Sequence, residues 1–164
     1  MSAFAARIRV AEGEDDLALV RGVRHAVFIA EQGVPEELEY DDLDATSEHL
    51  LAVGPAGEPL GTARLIHGPQ ALALTGGTAG RVLLGRLAVV KAARGTGLGA
   101  ELVRAVEAAG RGRGAREVEL HAQVQALGFY ERLGYTAEGP VYDDAGIPHR
   151  TMTRVLQDVS RAGA

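Results

Sequence analysis

Six consecutive residues, Arg94-Gly95-Thr96-Gly97-Leu98-Gly99, have the types and spacing to do chemistry. They follow the apolar run Leu83 to Val90 and precede an amphipathic stretch starting near Leu98, which predicts a strand, a glycine-rich turn and a helix N-terminus in succession. Glycines let the main chain pass close to a ligand. The unpaired N–H groups and positive dipole end of a helix N-terminus favour an anion there. The expected ligand carries phosphate.

Three kinds of loop compete for these residues. A P-loop needs Gly-Lys followed by Ser or Thr, to reach the outer phosphates and hold magnesium, and this loop has neither. The dinucleotide fingerprint fits better, as Gly95-x-Gly97-x-x-Ala100 with Glu119 about twenty residues later. That fold needs several further β-α units, and the chain beyond Ala100 is too short for them and the hairpin-like tail it also contains. The third pattern, Arg/Gln-x-x-Gly-x-Gly/Ala, has every fixed position filled from Arg94 to Gly99.

On that pattern, the segment Gly85 to Gly110 resembles the acyl-CoA-binding motif of the GNAT N-acetyltransferase superfamily, whose loop grips the pyrophosphate of coenzyme A. A second stretch, Ala122-Gln123-x-x-Ala126-x-x-Phe129-Tyr130-x-x-x-Gly134-Tyr135, is similar to the superfamily's later motif, in the expected order and spacing. A third, Arg24-x-x-Val27-Phe28-x-x-Glu31-Gln32-x-Val34-Pro35, leads into Glu39-x-Asp41-x-x-Asp44 and His49. With the tail Gly146-Ile147-Pro148-His149 it resembles the small bacterial acetyltransferases called ElaA-like and YjcF-like. The resemblance spans most of the chain.

The resemblance implies an enzyme that moves an acetyl group from acetyl-CoA to a primary amine of a small molecule or peptide by direct attack. The lack of cysteine agrees with direct transfer. It assigns cofactor contacts to the backbone of Leu87, Ala88 and Val89 and to the loop Arg94, Gly95, Thr96, Gly97, Leu98 and Gly99. An arginine is slightly disfavoured at a helix start, so Arg94 is better explained by a charge-assisted contact with diphosphate than as a surface residue. A non-catalytic acyl-CoA-binding sensor would keep the same loop.

Acetyl transfer needs a neutral amine and a proton for the leaving thiolate, whose reference pKa is about 8.5. Tyr130 suits the second task, because a phenol stays protonated at neutral pH; its plain alternative is packing beside Phe129. Candidate bases are numerous: Glu31, Glu39, Asp41, Asp44, His49, His121 and His149. His121, at a strand end, could receive the amine proton, or it could be a satisfied structural histidine. Glu31 could order the acceptor pocket or simply end a helix on a solvated face. The histidines lack metal-ligand spacing, and no metal is expected.

The elements that must position these residues follow from periodicity. A first strand is predicted over 7–11, and a helix from the Gly13-Glu14-Asp15-Asp16 cluster to about Ala30, closed by Gly33 and Pro35. Pro35 to Asp44, with six carboxylates, reads as a solvated loop or short helix whose field would attract a cationic amine. Strands are expected over 49–53 and 61–67, then a long connection to Gly80, and the central strand over 81–90. A helix over 98–109 with the stripe Leu98, Leu102, Val103 and Val106, and a strand over 117–121, complete a right-handed parallel unit. A shorter helix over 123–133 and a hairpin across Asp143 to Gly146 finish the chain. The expected class is α/β, a GNAT fold with a mixed central β-sheet and helices on both faces.

The composition sets outer limits. With 164 residues and 46% hydrophobic content, one domain over 1–164 is expected. No apolar run reaches the eighteen or more residues of a membrane span, and no targeting signal is visible, so a cytoplasmic protein without a membrane partner is expected. A net charge of -5 and dispersed aromatics argue against nucleic acid as a partner. The family resemblance also allows for a homodimer.

Overall fold

The computed structural model describes residues 6–156. Strand β1 (Arg7–Val10) leads into helix α1 (Gly13–Arg24), which continues as a π-helix over His25–Glu31. The helix starts where the sequence places acceptors. Glu14, Asp15 and Asp16 fill its first turn, Arg21 and Arg24 its last, and the Asp16 carboxylate accepts the Glu12 N–H at 3.0 Å. The stretch from Pro35 then folds as the short helix α2 (Glu36–Glu39) and a 3₁₀ turn at Asp42–Ala45.

Strands β2 (Glu48–Val53) and β3 (Pro59–Ile66) form the expected hairpin. The connection to Gly80 contains a helix that the sequence reading left out, α3 (Gly68–Leu74), with Pro69 in its first turn. Then come β4 (Arg81–Val89), α4 (Leu98–Gly112), β5 (Glu117–Gln123), α5 (Leu127–Arg132), β6 (Thr136–Asp144) and β7 (Ile147–Val155). A 3₁₀ turn at Val124–Ala126 precedes α5, so the helix expected from Gln123 starts later.

The seven strands form one sheet in the order β1-β2-β3-β4-β5-β7-β6. Only β4 and β5 run parallel, joined by the α4 crossover; the other neighbours are antiparallel. Alternation along the strands divides the core between two faces. Val82, Leu84, Val118 and Leu120 pack under Leu98, Leu102, Val103 and Val106 of α4, which is the predicted stripe. On the other face Val20 of α1 meets Leu51 and Val53, while Ala71 of α3 meets Ile66 and Leu83. Among the described residues no helix is long and apolar enough to cross a membrane.

Two irregularities shape the site. Between Arg64↔Gly85 and Thr62↔Ala88 the β3–β4 register slips, so Arg86 and Leu87 together oppose Ala63. This is a β-bulge, and Arg86 takes a left-handed φ of 49° to make it. The β4–β5 ladder stops at Leu84↔Leu120, just before the bulge. From there β4 pairs with β3 alone, and His121, Ala122 and Gln123 pair with β7. The two parallel strands therefore separate at their C-terminal ends, where an α/β sheet commonly holds its ligands.

Candidate active site

The gap between the parted strands opens into two adjoining cavities. One, of about 530 Å³, follows the glycine loop and is walled by Leu87, Ala88 and Val89 of β4, by Arg94, Gly95, Gly97, Leu98 and Gly99, and by Val27 and Glu31 of the π-helix. The other, of about 490 Å³, lies toward the β6–β7 turn and holds Tyr130, His121, His149, Arg64 and Arg86. Gln32, Leu87, Ala126 and Phe129 line both, so they form the shared wall. Gln123 donates to Gln32 at 2.9 Å across the mouth of the gap.

The first cavity suits an anion with an extended tail. Gly95 and Gly97 adopt φ of 79° and 87°, and a Cβ on either would meet nothing within 4 Å, so the loop leaves open space above its backbone. Helix α4 starts from Gly97 with no side chain capping it, which leaves its first-turn amides as donors. Thr96, the one predicted loop residue that does not line the groove, turns inward and donates its hydroxyl to the Ala93 carbonyl at 2.6 Å. A diphosphate at the loop and a pantetheine arm along β4 fit these groups.

Arg94 and Glu31 meet directly. The Arg94 guanidinium donates to both carboxylate oxygens of Glu31, at 2.9 and 2.7 Å, and to the Val89 carbonyl at 3.0 Å. The Arg94 hydrogen bonds, aided by the charges of Arg94 and Lys91, hold the Glu31 carboxyl below the usual range against the opposing effect of burial. Glu31 lines the loop groove and not the cavity that holds Tyr130. The structure thus brings Glu31 to the glycine loop, on the far side of the shared wall from His121.

Tyr130 is buried in the second cavity, edge-on to Phe129 and Tyr135 with ring centroids 4.9 and 5.9 Å away. Burial pushes its phenol up, so it stays protonated throughout the neutral range. His121 is held at both ring nitrogens: Nε2 lies 2.9 Å from the Glu119 carboxylate, and Nδ1 meets the hydroxyls of Tyr142 and Thr151. Glu119 is in turn fixed by Arg81 at 3.0 Å.

The acidic segment forms the short helix that is one of its two expected forms, with Glu36, Glu37 and Asp42 exposed, but three of its carboxylates are paired. Arg24, 1% exposed, donates to Glu39 at 2.6 Å and to Asp44 at 2.7 Å. Arg64 donates to Asp41 and Asp44 at 2.7 and 2.9 Å, and Arg86 lies 3.2 Å from Glu39 and 3.3 Å from Asp41. His49 bonds the Asp44 carbonyl through Nε2 at 2.9 Å. Glu39, Asp41 and Asp44 are therefore neutralised by three arginines, and the field expected to draw in a cationic amine is cancelled at these positions. Sequence reasoning missed Arg64 and Arg86. Their signal was a cation inside an otherwise apolar strand, which demands a buried partner.

Comparison with known proteins agrees with this architecture. The acetyltransferase (GNAT) domain family matches residues 13–156. The uncharacterized N-acetyltransferase YjcF of Bacillus subtilis is 35% identical over 146 residues, covering 88% of this chain and 96% of that protein. The crystal structure of an acyl-CoA N-acyltransferase from Pseudomonas aeruginosa superposes with a TM-score of 0.77 at 32% identity, over 93% of this chain and all of that one (100%). Escherichia coli ElaA gives a TM-score of 0.75 at 25% identity, over 92% and 99% of the two chains.

Proposed function

Because the chain belongs to the GNAT acetyltransferase family, in its ElaA-like and YjcF-like branch, and is an acyltransferase, we propose that it transfers an acetyl group from acetyl-CoA to a primary amine by direct attack. The observation that carries this reading is the pair of cavities joined through one wall at the parted strands. One fits a diphosphate and its pantetheine arm. The other offers an acceptor a partly apolar chamber with a phenol and two imidazoles.

Acetyl-CoA supplies an activated acyl carbon. The chain's own residues do the rest. The backbone of Leu87, Ala88 and Val89 orients the arm, and the loop amides with Arg94 hold the diphosphate. Glu31 pairs with Arg94 until the diphosphate takes its place and does not touch the acceptor, since both of its hydrogen bonds are to that guanidinium. Tyr130, protonated and out of bulk water, donates to the sulfur as charge develops there. The mixed lining of the second cavity suits an amine with an apolar body.

The test joins two measurements on the intact protein. Coenzyme A should raise the melting temperature with concentration, and NAD should not. Thiol release from acetyl-CoA should then be followed with a panel of alkyl, aryl and amino-acid amines and a lysine peptide. Release that depends on one class of amine is the expected result. Coenzyme A binding without turnover of any amine would overturn transfer and leave an acyl-CoA-binding domain.

A further inference from the structure

We infer that His149 is the residue that takes the proton from the acceptor amine, an assignment that rests on the acetyl-transfer reading above. His121 and His149 both line the acceptor cavity, and their hydrogen bonds fix opposite tautomers. Carboxylate and carbonyl oxygens only accept. At His121 the Glu119 carboxylate requires the proton on Nε2, so the lone pair is on Nδ1, where the Tyr142 and Thr151 hydroxyls already engage it. At His149 the Ile147 carbonyl lies 2.7 Å from Nδ1 and requires the proton there. The lone pair is then on Nε2, which has no hydrogen-bond partner among the described residues.

Placement favours the same residue. His149 stands opposite Gln123 in the β5–β7 ladder, and Gln123 is bonded to Gln32 of the wall that the two cavities share. His121 pairs with Thr151, two rungs farther from the strand ends. The imidazole of His149 is also held in orientation. Its ring stacks on Tyr142 at 6.0 Å and 27°, and Pro148, with φ fixed by its ring, lies between His149 and the carbonyl it bonds. The Gly-Ile-Pro-His tail thus acquires a chemical purpose.

The proton balance is simple. The acceptor ammonium first gives a proton to His149 Nε2; the N–C bond then forms as the C–S bond breaks, the nitrogen's second proton leaves to water, and the sulfur takes one from the Tyr130 hydroxyl. Exchange with solvent restores both residues. The charged groups that line the cavity with His149 are Glu39, Arg64, Arg86 and Asp144, and His121 connects to it through Tyr142.

Two readouts test the assignment. Long-range ¹H–¹⁵N correlation on histidine-labelled wild-type protein at pH 8 should show His149 protonated on Nδ1 and His121 on Nε2; the reverse tautomer at His149 overturns the proposal without reference to activity. With the acceptor that the wild type uses best in the amine panel, His149→Gln should lower kcat by about tenfold or more at neutral pH. Calorimetric binding of coenzyme A should be unchanged, and the loss should shrink as pH rises and the amine deprotonates in solution. A wild-type kcat, or a loss that is constant with pH, overturns the role of His149 alone. Failure of the wild type to turn over any amine overturns both this inference and the function it rests on.

Discussion

Arg94 shows how a residue can hold a partner within the chain and still be available to a ligand. Arg94 and its partner Glu31 are both partly exposed, so water competes for both charges and the pair is weak. A diphosphate oxygen shielded in the groove is a stronger acceptor for the same fork. Exchange of Glu31 for phosphate is therefore favourable, while the Val89 carbonyl keeps Nε in place. Arg94→Ala should weaken coenzyme A binding by about tenfold or more in calorimetry, with Arg94→Lys in between, because an ammonium cannot reproduce the fork. An unchanged dissociation constant would assign the grip to the loop amides alone. Tyr130→Phe keeps the ring packed against Phe129 and Tyr135 and removes only the proton. Acetyl transfer should fall by about tenfold or more with coenzyme A affinity unchanged, as steady-state kinetics and calorimetry together would show.

Among the elements, α5 offers a clean test of local physics. Gly128 lies in its first turn with an ordinary helical backbone, and a Cβ there would meet only the Arg132 guanidinium, at 3.5 Å. Nothing in the structure requires glycine. Gly128→Ala should stabilise the protein by up to about 1 kcal/mol in urea unfolding, with no change in the slope of the transition. The helices and strands themselves were largely legible, because 3.6-residue and alternating periods carry them: the α4 stripe and the parallel β4–β5 unit fell where the sequence placed them. The features that make the site were not. The bulge at Arg86 puts a non-glycine residue in a left-handed conformation, held there by Glu39 and Asp41 across the fold, and no local pattern announces it. The switch to a π-helix at His25 and the helix inside 68–74 likewise depend on tertiary packing. The loop residues were legible as a motif, whereas the opposite tautomers of His121 and His149 appeared only with their partners.

At the scale of the whole molecule, the buried ionic cluster ties the segment after α1 to the middle of the sheet, and it makes stability depend on pH. It also joins Arg24, Glu39, Asp41, Asp44 and His49 in one contact network. His49 is the acid-sensitive member. It donates from Nε2 to the Asp44 carbonyl, leaving Nδ1 buried and unpaired, cross-strand from Arg64. Burial, reinforced by the charges of Arg24 and Arg64, lowers its pKa despite the opposing influence of Asp44. The unfolded chain therefore binds a proton before the folded one does. The stability His49 contributes is fully present above the unfolded value of about 6.5 and is lost as pH falls through the lower folded value. Asp44 adds nothing to this change until stronger acid: against burial, which pushes its carboxyl up, Arg24 and Arg64 hold it below its ordinary value. His67 is shifted in the same direction as His49, chiefly by burial. Urea midpoints should accordingly decline from pH 8 to pH 5 in the wild-type protein, and His49→Gln, which can keep the bond to the Asp44 carbonyl, should reduce that decline without abolishing it. An equally steep decline in the variant would place the acid sensitivity elsewhere than at His49.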